Sequence, residues 1–168
     1  MVVGNRAVTT DGLGRHTAWD LIPFEPVEVW ADSASIADPT LVPVHSAMRV
    51  RVPPASFGQV NVPVIRSREI MGAVVLVDGD REIPLPYAQL ELIDTETGTA
   101  RPLRAFSDGE FYEAGIRPGL YELRLAREYA ERTGVVPEAG WIPVPIQVGD
   151  GMDVLGPMVL RVVRGGTS

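Results

Sequence analysis

The side chains that could carry acid–base, nucleophilic or metal chemistry are two histidines, His16 and His45, 22 aspartates and glutamates, 15 arginines and the hydroxyls. The chain has no cysteine and no lysine. That removes thiolate nucleophiles, disulfides, Cys-ligated zinc and iron–sulfur clusters, together with Schiff-base chemistry and the P-loop lysine. A lysine-dependent isopeptide cross-link, which some surface β-sandwiches use, is excluded on the same ground. The histidines form no HxxxH or HxH pair and have no acidic cluster beside them, whereas a catalytic zinc needs three protein ligands. Asp78, Asp80, Asp94 and Glu96 are the carboxylates whose grouping would suit calcium. Yet Asp78-Gly79-Asp80 and Asp94-Thr95-Glu96-Thr97-Gly98 are equally the sequences that tight hairpins demand. No serine stands in a Gly-x-Ser-x-Gly elbow, and Ser107 precedes Asp108-Gly109 as a turn residue. Nothing singles out two carboxylates as a glycosidase pair. The expectation is no catalytic residue, no metal site and no cofactor.

The net charge of −7 and scattered arginines speak against nucleic acid, which needs a concentrated basic face. A hydrophobic content of 45% is ordinary for a globular chain. No apolar run approaches the 18 or so residues of a membrane-spanning helix. The first residues, Met1-Val2-Val3-Gly4-Asn5-Arg6, lack the apolar core of a signal peptide. An exported protein would therefore be represented here as a mature chain or an excised piece.

Glycine (17) and proline (15) are spread as single turns between short apolar runs, the punctuation of an all-β protein. Tyr121-Glu122-Leu123-Arg124-Leu125, Ala88-Gln89-Leu90-Glu91-Leu92 and Met48-Arg49-Val50-Arg51-Val52 alternate with period two, each predicting a strand with one buried face. Ala73-Val74-Val75-Leu76-Val77 is continuously apolar and runs into Asp78-Gly79-Asp80, as a central strand entering a turn would. Leu92-Ile93 leads into a hairpin loop in which Gly98 takes the positive-φ position. Residues 126–132 have helical propensity and Gly134 stands where a C-terminal cap belongs, predicting one short helical insert. Pro143 and Pro145 lie two apart in the run from Trp141 to Val148. Their missing donors fall on one side, which predicts a guarded edge strand. Pro84-Leu85-Pro86 repeats the device before a strand expected at 87–93.

A boundary falls near Arg66-Ser67-Arg68-Glu69, giving modules at 1–66 and 67–168. One pattern also echoes. Thr10-Asp11-Gly12 with Leu21-Ile22-Pro23-Phe24 and Val27-Glu28-Val29 parallels Ser107-Asp108-Gly109 with Arg117-Pro118-Gly119 and Leu120-Tyr121-Glu122-Leu123. Each reads as an Asp-Gly turn, a short strand, a Pro-containing turn and an alternating strand, with Phe111 inward and a type II turn at Pro118-Gly119.

Gly72, Ile83-Pro84-Leu85-Pro86-Tyr87-Ala88, Ser107 to Phe111 and Arg117 to Tyr121 resemble the carboxypeptidase regulatory-like (transthyretin-like) β-sandwich. Asn5-Arg6, Thr10-Asp11, Gly14-Arg15 and Leu21 to Phe24 resemble the start of the C-terminal region of outer-membrane ushers. The resemblance covers most of the chain and is carried by short, turn-dominated motifs. Two departures stand: usher C-terminal domains often hold a cysteine pair, absent here, and Ala126 to Gly140 looks inserted. The fold implied is all-β, two small Ig-like or transthyretin-like β-sandwich modules. The function implied is a non-catalytic, protein-binding part of a larger outer-membrane protein, periplasmic or at the cell surface, that engages chaperone–subunit complexes in fimbrial biogenesis. The alternatives are a surface stalk or adhesion module and a carbohydrate-binding module of the same fold. Among Trp19, Trp30, Trp141, Tyr112, Tyr121 and Tyr129, the expectation is core burial for Trp30 and Tyr121. Trp141, in turn context beside Gly140, is the candidate partner-binding residue. A small-molecule ligand is not expected, and the sequence leaves the oligomeric state open.

Overall fold

The computed structural model describes residues 1–147 and 154–165; Val148, at the end of one expected strand, lies outside them. The chain divides into two compact units, Met1–Ser67 and Arg68–Ser168.

Unit 1 holds six short strands, β1 (Val2–Val3), β2 (Arg6–Ala7), β3 (Val27–Trp30), β4 (Leu41–Pro43), β5 (Met48–Val50) and β6 (Val64–Arg66). Four form an antiparallel sheet in the order β2-β1-β3-β5, and β4 with β6 forms a separate ribbon. The Met48–Val50 alternation sets Arg49 outward, 2.8 Å from Glu28 across the sheet. The core is thin: Val29 and Val42 are its buried aliphatic residues, and Trp30 is half-buried. The first copy of the echo departs from expectation. Asp11 accepts N–H groups from Leu13 and Arg15 (2.9 and 2.8 Å), closing the Asp-Gly turn, but no strand occurs between residues 8 and 26. Asp20 and Phe24 take positive φ (60° and 64°), which interrupts extended backbone. Leu13, Ile22 and Phe24 consequently stay exposed.

Unit 2 is a two-sheet sandwich. Its strands are β7 (Arg68–Asp78), β8 (Arg81–Pro84), β9 (Gln89–Asp94), β10 (Ala100–Arg104), β11 (Glu110–Ile116), β12 (Gly119–Leu125), β13 (Val135–Pro137), β14 (Ile142–Ile146) and β15 (Val154–Arg164). One sheet runs β10-β9-β12-β14 and the other β11-β7-β15-β13, with β8 also on β7. The alternations point inward as predicted: Ala88, Leu90, Leu92, Tyr121, Leu123 and Leu125 are buried. They meet Ile70, Val74, Phe111, Leu160 and Val162 in one core cluster. The helical insert is α1 (Arg127–Thr133), closed by Gly134 in the left-handed conformation (φ 69°) with its N–H on the Ala130 carbonyl.

Two local expectations are corrected. Pro118-Gly119 is no type II turn, because Gly119 opens β12 without the positive φ that turn requires. The left-handed glycine is Gly115 (φ 71°), placed where the β11–β7 register shifts between Glu113 and Ile116, a β-bulge. The strand expected at 87–93 starts at Gln89, because Tyr87 has φ 56° and stacks its ring under Arg104, 5.0 Å from the guanidinium carbon.

Candidate interaction surface

Hydrogen-bond parity along each strand identifies which backbone groups of unit 2 are open to a partner. In β14, Pro143 and Pro145 stand opposite Glu122 and Leu120, so their missing donors lie on the free edge. In β10, the Ala105 N–H reaches the Ala88 carbonyl (2.9 Å); residues of odd number face β9 and Pro102 falls outward. The Glu138 N–H on Arg161 (2.9 Å) and the Leu85 N–H on Val74 (2.8 Å) place Pro137 of β13 and Pro84 of β8 outward by the same reasoning. In β11 the outward Glu110 N–H is taken by Asp108 (3.0 Å) and its carbonyl by the Phe106 N–H (2.7 Å). Arg101 of β10 caps the Gly115 carbonyl (3.2 Å) and pairs with Glu113 (2.5 Å), joining the two edge strands of one flank. The described edges of β8, β10, β11, β13 and β14 thus each carry a proline or a local cap, which disfavours strand addition along them.

The faces differ in character. On the outer side of β12 and β14, Pro143 and Pro145 alternate with the buried Val144 and Ile146, and Leu120 is exposed beside them. Trp141 continues this row and is 53% exposed. The Arg124 guanidinium lies over its ring at 5.3 Å and also pairs with Glu122. The Glu138–Gly140 turn, with Gly140 at φ 80°, brings Trp141 against β15. There it lines a shallow recess of about 70 Å³ with Glu138, Ile142, Val159 and Arg161. Arg161 in this lining is held between Glu138 (2.8 Å) and Glu82, and Trp141 and Val159 add exposed apolar surface beside it. Arg124, Val159 and Arg161 were not marked by the sequence reading. Arg124 shared the outward positions of a predicted strand, but only the pairing of β15 brings the others here.

At one end of the sandwich Asp94 organises two connections. Its carboxylate accepts the Glu96 and Thr97 N–H groups (2.9 and 3.1 Å) and pairs with Arg117, whose carbonyl accepts the Tyr121 hydroxyl (3.0 Å). Burial works against the charge, yet the Arg117 guanidinium and the two N–H donors outweigh it and hold the carboxyl below its ordinary 3.8. Asp94 is therefore committed to the hairpin. Among the described residues no three His, Asp or Glu side chains gather to hold a metal. His16 is exposed and its Nδ1 lies 3.2 Å from the Thr9 carbonyl; His45 is also exposed. Of the aromatic candidates, Tyr121 and Tyr129 are buried, Trp19, Tyr112 and Trp141 are exposed. Trp19 packs edge-on against Phe57 in unit 1, centroids 6.0 Å apart. No shared aromatic platform results within unit 2, where Trp141 stands with an arginine and prolines.

No family model and no curated sequence matches the chain. Among solved structures, 89% of the chain superposes on 64% of a minor pilin from the gram-positive pathogen Streptococcus agalactiae, at 17% identity and a TM-score of 0.52. The chain shares that pilin's β-sandwich fold. A streptococcal ancillary pilin aligns over 85% of this chain and 46% of its own, at 12% identity and a TM-score of 0.43. The pilus 2b backbone protein of group B streptococcus aligns over 71% and 44%, at 16% and 0.40. The chain spans less than two thirds of the length of each. The expected all-β sandwich architecture stands, and the neighbour that carries the fold likeness is the minor pilin, not an usher. No helix of the described residues is long and apolar enough to cross a membrane.

Proposed function

We propose that the chain is a non-catalytic spacer module of a cell-surface stalk or pilus-like assembly, acting through protein contacts. The observation that carries this reading is the superposition of most of the chain on a minor pilin. The guarded edges support it: modules held side by side on a surface must not exchange strands, and the described edges of β8, β10, β11, β13 and β14 are blunted. The stalk reading displaces the usher-like one. The usher motifs at residues 10–24 form an exposed loop, and they carry turns without core positions. With no lysine, this chain supplies no ε-amino group for an isopeptide bond to itself or a neighbour. Its contacts are non-covalent or use other groups, and Trp141 with Arg124 is the patch we assign to them.

Titration of the whole chain against a periplasmic chaperone–subunit complex and against a glycan panel tests this reading. No saturable binding is expected in either arm. Saturable binding of the chaperone–subunit complex, weakened by Trp141→Ala, would restore the usher reading. Glycan binding abolished by Trp141→Ala would make the chain a carbohydrate-binding module. Trp141→Ala itself should cost about 0.5–1 kcal/mol of stability, the worth of an exposed cation–π contact, so lost binding reports the surface and not the fold.

A further inference from the structure

Unit 2 begins and ends on one seam. The chain enters from unit 1 at Arg68, the first residue of β7, and β15 runs beside β7 to Arg164. Every other recorded strand pair in the two sheets is antiparallel, but β7 and β15 are parallel. Glu69 stands opposite Val154, and after a register shift five consecutive pairs run from Gly72 with Met158 to Leu76 with Val162. Parallel strands put the entry of one and the exit of the other at opposite ends. Tension applied at Arg68 and Arg164 therefore draws β7 and β15 past each other along their length, and does not peel them apart.

We propose that the β7–β15 seam is a shear clamp that makes unit 2 resist tension along the chain. In shear, all ladder hydrogen bonds are loaded together, whereas in peeling they break one after another and each is individually weak. Stepwise slip offers no easier route. A slip of one residue, about 3.3 Å, turns every side chain to the opposite face. A slip of β15 would carry Leu160 and Val162, now 3% and 0% exposed, out of the core, and a slip of β7 would do the same to Val74, now 0% exposed. Slip is also blocked at Gly72, where an added Cβ would lie 2.1 Å from the Met158 carbonyl oxygen. No residue bearing a side chain can slide into that place. The inference deepens the stalk reading and rests on it for its use at a cell surface; the pulling geometry is independent of it.

The absence of native cysteine makes introduced thiols unique attachment points for single-molecule pulling on the full chain. Ser67→Cys with Arg164→Cys loads the seam in shear. Ser67→Cys with Val154→Cys loads the same seam from one end. Gly165→Cys replaces Arg164→Cys if that variant does not fold. The unfolding force is expected to be roughly twofold higher or more in the shear geometry, because bonds loaded in parallel share the tension and forced unfolding follows the unfolding rate. Equal forces in the two geometries, or a lower force in shear, would overturn the clamp. That failure would leave the surface assignment untouched, since cell-surface exposure is read separately.

Discussion

Gly72→Ala should destabilise unit 2 by about 3 kcal/mol, the upper range for overpacking a tight site. The new Cβ would lie 2.1 Å from the Met158 carbonyl oxygen and 2.6 Å from Phe111 Cζ. Phe111 is buried and the carbonyl is backbone within the parallel ladder, so neither can yield without moving β15 or the core. Gly98→Ala is the control: Gly98 has φ 69° and open space around it, so its cost is confined to a left-handed alanine, about 1 kcal/mol. Urea unfolding monitored in unit 2 reads both, and the midpoints should fall in that order with unchanged slope. Adding Phe111→Leu should recover only part of the Gly72→Ala loss, because the carbonyl remains. A Gly72→Ala midpoint equal to wild type would mean that β7 and β15 do not approach as described.

Asp94→Asn should cost about 2 kcal/mol at pH 7, within the range for hydrogen bonds to charged groups. The variant keeps the volume and one acceptor oxygen but loses the ion pair with Arg117 and weakens the Glu96 and Thr97 caps. The pH dependence carries the sign. The folded carboxyl is held below its ordinary 3.8, so the unfolded state binds the proton more readily. The stabilisation is therefore complete above the unfolded value and fades as pH falls through the lower folded value. The gap between wild type and Asp94→Asn should be constant from about pH 7 to 5 and narrow as the pH falls below about 4. Thermal unfolding across that range measures it. A gap that does not narrow at all on acidification below about pH 4 would assign the loss to packing and not to the charge.

The elements that alternate were legible from the sequence, and so were their faces. Ala88, Leu90 and Leu92, or Tyr121, Leu123 and Leu125, can hide from water only on one side of a strand. The guarded edge at β14 was legible too, because two prolines spaced by two must lose donors on the same side. The parallel seam was not. Nothing local in Val154–Arg164 announces a partner more than 80 positions earlier in the chain, and its alternation is interrupted by Gly156-Pro157. Gly119 drew the turn assignment from its place after Pro118, while the left-handed residue was Gly115, fixed by the register of β11 on β7. Residues 10–24 carried turn chemistry without enough neighbouring strand to pair it. At the candidate surface, the turn around Trp141 could be read; its recess with Val159 and Arg161 depends on the same long-range pairing.

Surface exposure on the producing cells tests the central claim most directly. Antibodies raised against the full chain, or an added protease, should reach it on intact cells, with no further signal after permeabilisation. Labelling that appears only once the cells are permeabilised would place the chain behind the envelope and contradict its assignment to a surface stalk.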